Sequence, residues 1–124
     1  MNYQEFNKVW NENKDIFEET CNMSPRKLIE ICEDFIKSVY PTSHLLREDN
    51  INCANRYFDI SYSKINKHDW GPDSINYSLD FYDRIEIKIN AVKVRLIEHM
   101  EHCSGTEKVA LDFDKFYKMY VKNN

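Results

Sequence analysis

Apolar positions recur along this chain with two different periods, and each change of period marks a new element. Over residues 3–20, Tyr3, Phe6, Trp10 and Phe17 return near every third or fourth position, with Val9 and Ile16 beside them. That spacing builds one buried stripe of a helix. Ser24-Pro25 opens a second helix, with a hydroxyl to cap free backbone N–H groups and a proline at the first helical position. Leu28, Ile31, Cys32, Phe35, Ile36 and Val39 fill its apolar stripe, and Pro41 stops it. Residues 42–55 follow neither period and read as a loop with one short turn.

The middle of the chain switches to period two. Phe58, Ile60 and Tyr62 alternate with Asp59, Ser61 and Ser63; Ile75, Tyr77, Leu79 and Phe81 alternate with Asn76, Ser78 and Asp80; Ile85, Ile87 and Ile89 alternate with Glu86 and Lys88. Three strands with one apolar face are predicted. Opposed residues of an antiparallel pair share a face, so Leu79 must face Ile87 and Phe81 must face Ile85. Tyr82-Asp83-Arg84 is then a three-residue hairpin loop, with Asp83 at the position that usually takes glycine. The same register sets Asp80 against Glu86.

Beyond the third strand the 3.6 period returns. Val92, Leu96, Met100 and Cys103 form a stripe, with Gly105 placed as a helix C-cap. Val109, Phe113, Phe116, Tyr117, Tyr120 and Val121 form a last stripe, with Thr106 as its cap. Val109, Leu111 and Phe113 also alternate, so 108–113 has a competing reading as a strand; the helix is preferred. The expected fold is α+β, a single domain over 1–124: a helix pair, a three-stranded antiparallel meander and a second helix pair, packed on the apolar side of the sheet.

Composition narrows the function classes. With 124 residues, 42% hydrophobic and 14% aromatic, the chain can bury a core without disulfide or metal. A net charge of −4 disfavours a sequence-independent nucleic-acid binder, which needs basic excess to neutralise phosphates. There is no apolar start for a signal peptide and no window long enough for a membrane span. The cysteines, at 21, 32, 53 and 103, make no Cys-x-x-Cys pair. A reduced, cytoplasmic setting is expected. Asn, Lys, Ile and Tyr abound while Gly and Pro number 2 and 3; the codons of the abundant four are A- and T-rich, which points to an AT-rich genome or a mobile element such as a phage. Two glycines leave no Gly-rich phosphate loop, and no Gly-x-Ser-x-Gly elbow occurs, so no nucleotide cofactor is expected.

Three constellations bear chemistry. Pro72-Asp73 is followed, after twelve residues, by Glu86-Ile87-Lys88. This resembles the signature of the PD-(D/E)xK nucleases, a resemblance covering seventeen residues. It implies a divalent metal on the carboxylates and a lysine that positions or activates water. Parity opposes it: Asp73 falls in phase with apolar Ile75 and Tyr77, whereas Glu86 and Lys88 lie on the polar face. Asp80 is the residue that meets Glu86. His99, His102 and Cys103 would cluster at i, i+3 and i+4 of a helix as metal ligands, with Cys53 or His68 as a fourth. A core cysteine flanked by surface histidines accounts for them better, and no metal is assigned. Arg95 with His99 or His102 on the same helix face could serve RNA cleavage.

Most aromatics fall on core stripes; Trp10 and Trp70 stand apart. Trp70 lies in the polar loop His68-Asp69-Trp70-Gly71-Pro72-Asp73, where core packing explains it least. The preferred reading is a non-enzymatic binding protein of the inhibitor or toxin-immunity type. Its acidic, Trp-bearing surface, made of Asp59, His68, Asp69, Trp70, Asp73, Asp80 and Glu86, would neutralise a protein partner, plausibly a basic one. The alternative is a metal-dependent nuclease using Asp73 or Asp80 with Glu86 and Lys88.

Overall fold

A computed structural model describes residues 2–40, 59–63, 76–81, 84–99 and 105–122. Helix α1 spans Tyr3–Cys21 and helix α2 spans Pro25–Val39. Both start at side-chain caps, of which the sequence reading named only Ser24. Asn2 accepts from the Glu5 N–H while the Glu5 carboxylate accepts from the Asn2 N–H, a reciprocal box. Ser24 accepts from the Lys27 N–H, and Pro25 occupies the first turn. Leu28, Ile31, Cys32, Phe35 and Ile36 are buried, as the stripe requires.

The sheet has five antiparallel strands in chain order: β1 Asp59–Ser63, β2 Asn76–Phe81, β3 Ile85–Ile89, β4 Lys93–Glu98 and β5 Thr106–Asp112. The α+β class and the β2–β3 hairpin agree with the sequence reading, since Leu79 pairs with Ile87, Phe81 with Ile85 and Asp80 with Glu86. The three-strand meander does not hold, because two further strands extend it.

The predicted helix through Val92, Leu96, Met100 and Cys103 is replaced over 93–98 by β4. Asn90 decides this. Its Oδ1 accepts from the N–H groups of Val92 and Lys93, at 2.9 and 2.8 Å, while its own N–H donates to the Lys93 carbonyl. The result is a tight hairpin that returns the chain along β3, with Ile89 opposite Val94 and Ile87 opposite Leu96. Val94 and Leu96 are fully buried, so period two explains them better than a helical stripe.

The preferred helix from Thr106 is likewise corrected. The chain is strand through Asp112 and turns helical at Phe113. Helix α3, Phe113–Phe116, passes directly into a π-helical turn, Tyr117–Val121, closed by the Lys122 N–H on the Tyr117 carbonyl. Gly105, placed by the sequence reading as a helix C-cap, immediately precedes β5, and residues 100–104 before it lie outside the described residues.

The three helices cover one face of the sheet. Leu79, Phe81, Ile85, Ile87, Ile89, Val94 and Leu96 meet Phe17, Leu28, Ile31, Phe35, Phe113 and Phe116 in one core. Ring contacts fix the packing: Phe17 lies 5.6 Å from Tyr77 and 5.9 Å from Phe113, and Phe35 lies edge-on to Phe116. Trp10, set apart by the sequence, lies between Phe6 and Phe17 with tilted ring planes at the margin of this core. The Tyr40 hydroxyl donates to Glu98 at 2.7 Å, tying the end of α2 to β4. No helix among the described residues is long and apolar enough to cross a membrane.

Candidate functional site

Because the helices take the apolar face, every residue of opposite parity lands on the other face. In β2, β3 and β4, among residues whose side chains are described, these are Ser78, Asp80, Glu86, Lys88, Lys93, Arg95 and Ile97. The register stacks them in rows across the sheet. One row runs Asp59, Asp80, Glu86, Ile97, Glu107; the next runs Ser61, Ser78, Lys88, Arg95, Ala110. The first brings Asp80 and Glu86 side by side, and the second does the same for Lys88 and Arg95.

Glu86 is the hub. Its Oε2 accepts from the Ser78 hydroxyl at 2.6 Å, and its Oε1 accepts from His99 Nε2 at 3.0 Å. The Glu86 side chain is only 18% exposed. Burial pushes its carboxyl up, but the hydrogen bonds from Ser78 and His99, with the positive charge of Lys88 and His99, outweigh it and leave it below the ordinary range. His99 is anchored by its backbone, whose N–H donates to the Arg84 carbonyl at 2.6 Å beyond the end of β4. On its other side the ring lies against Gly105. An added Cβ there would sit 2.6 Å from His99 Cε1 and 2.6 Å from Ile97 Cγ2. Only a residue without a side chain allows this close approach.

The arrangement is ordered but poor in reactivity. Ser78 donates to a carboxylate rather than to His99, so no strong base withdraws its proton. Arg95 forms an ion pair with Glu107 at 2.7 Å. Four residues along a strand separate it from His99 by about 13 Å, so the helical adjacency assumed for RNA cleavage is absent. The i, i+3, i+4 premise for His99, His102 and Cys103 also loses its helix over β4, and His102 and Cys103 lie outside the described residues. Among the described residues no three His, Cys, Asp or Glu side chains group to hold a metal ion.

Of the residues singled out in the sequence, Asp80, Glu86 and Lys88 share the outer face, and Asp59 takes the register position opposite Asp80. Cys53, His68, Asp69, Trp70 and Asp73 lie outside the described residues. Ser78 and Gly105 were missed. Ser78 bonds diagonally across the register to Glu86, whereas its directly opposed partner is Lys88. The role of Gly105 depends on a ring six residues away, and no local pattern signals that. Comparison with family models, with curated proteins and with solved structures finds no match.

Proposed function

We propose that this chain is a small non-enzymatic binding protein of the inhibitor or immunity type, which engages a protein partner through the outer face of its sheet. The observation that carries the reading is the state of Glu86. Both its oxygens are held by donors from its own chain, Ser78 and His99, and the absence of a side chain at Gly105 leaves room for the histidine ring. A carboxylate fixed this way is a preordered acceptor with its rotamer entropy already lost, which favours recognition. The acidic row through Asp59, Asp80 and Glu86 favours a partner with basic groups there, and the loop bearing Trp70 supplies the anchor in this reading.

One observation favours a second reading. Asp80, Glu86 and Lys88 fall on one face in the described register, which suits a nuclease of the PD-(D/E)xK kind with Asp80 in place of Asp73. Two assays separate the readings. Purified protein is tested for Mg²⁺-dependent cleavage of DNA and RNA, alongside Glu86→Gln and Lys88→Ala. In parallel, immobilised wild type and Asp80→Lys are used to capture protein from the source cell. The binding reading predicts no cleavage above a no-protein control, and one stoichiometric protein held by wild type but not by Asp80→Lys. Cleavage abolished by both substitutions would overturn it.

A further inference from the structure

Strand β5 ends the sheet order, so one side of its backbone pairs with β4 and the other meets no described strand. Free edges are usually protected by charge or by a bulge. β5 has both, since Lys108 is the extra residue where the register slips between Leu96 and Ile97. Its charges differ in their commitments, however. Glu107 is taken by Arg95. Lys108 and Asp112 are exposed and form no ion pair among the described residues. Val109 and Leu111 point to the core side, yet both stay partly exposed.

We propose that β5 pairs antiparallel with β5 of a second copy of this chain, about a twofold axis at Ala110. Opposed residues of an antiparallel pair share a face, so a pairing that keeps both helical layers on one side must set a residue on the axis. An axis at Lys108 would oppose two lysines. An axis at Val109 sets Lys108 against Ala110 and leaves Asp112 opposite Thr106. An axis at Ala110 sets Lys108 against Asp112 twice, by symmetry, and Val109 against Leu111 twice. Charge complementarity thus selects one register, and it joins the half-exposed apolar margins of the two cores. The paired stretch is 108–112, ending at the bulge, and the product is one sheet of ten strands whose outer face is continuous. The same charges that repel a mismatched edge recognise this one, an isologous contact.

Sedimentation equilibrium of the whole chain tests this. Wild type should dimerise reversibly as concentration rises. Lys108→Glu and Asp112→Lys should each dimerise about tenfold more weakly, as two attractive cross-strand pairs become repulsive. An equimolar mixture of the two variants should recover wild-type affinity, because both pairs in the mixed dimer are again opposite in charge. Ala110→Lys, a change at an exposed site, should weaken dimerisation severalfold by placing like charges on the axis, and it decides the matter if Asp112→Lys fails to fold. A wild type that stays monomeric throughout, a dimer indifferent to Lys108→Glu and Ala110→Lys, or a mixture of folded variants that fails to recover would each overturn the proposal.

Discussion

A methyl group at position 105 has nowhere to go. Its carbon would stand 2.6 Å from both the His99 ring and the Ile97 side chain, and neither is the far end of a long flexible chain. Gly105→Ala should therefore cost about 1–3 kcal/mol, the range for an overpacked site, read from the urea midpoint at unchanged slope. It should also displace His99 from Glu86, visible as a change in the imidazole NMR signals. Glu86 supplies a second test at this scale. Its folded-state carboxyl is held below its unfolded value, so the unfolded chain takes up the proton first on acidification. The contribution of Glu86 is then complete above the ordinary carboxylate range and fades as pH falls through the folded-state value. Glu86→Gln should destabilise most near neutrality, and the gap to wild type should narrow in acid, as followed by urea unfolding across pH. A gap constant with pH would mean that the ionised Glu86 contributes nothing to the fold.

At the scale of elements, the hairpin between β3 and β4 rests on Asn90, which is 5% exposed and holds two backbone N–H groups. Asn90→Ala leaves both without that acceptor. The loss should be about 1–3 kcal/mol, measured by thermal or urea unfolding, and Asn90→Asp should recover part of it by restoring an acceptor oxygen. Asn90 also explains what could be read in advance. α1, α2 and the β2–β3 register were legible, because their caps, prolines and alternating isoleucines are local signals that agree with the packing. β4 was misread because Val92, Leu96, Met100 and Cys103 fit a helical stripe as well as Val94 and Leu96 fit a strand, and the turn between them carries neither glycine nor proline. β5 was misread because Val109 and Phe113 are in phase with both periods. The element boundary lies inside one apolar run, at Asp112–Phe113, where the Phe113 N–H donates to the Val92 carbonyl, a partner known only once β4 is in place. The acidic row was legible from the register alone. Its hub was not, since Ser78 reaches Glu86 from β2 and His99 from just beyond the end of β4.

At the scale of the whole molecule, the helices close one face of the sheet and leave the other to Asp80, Glu86, Lys88 and their neighbours. On the proposed function this polar face is a recognition surface rather than a hydrolytic centre. The most direct test is the affinity of the captured partner for three purified proteins, measured by titration calorimetry at fixed salt. These are wild type, Asp80→Lys on the outer face and Lys37→Glu on exposed α2, away from the sheet. The account predicts at least about a tenfold loss for Asp80→Lys, since reversing a contact charge leaves like charges opposed across the interface, and an unchanged affinity for Lys37→Glu. Equal affinities for wild type and Asp80→Lys, with the loss falling on Lys37→Glu instead, would contradict it.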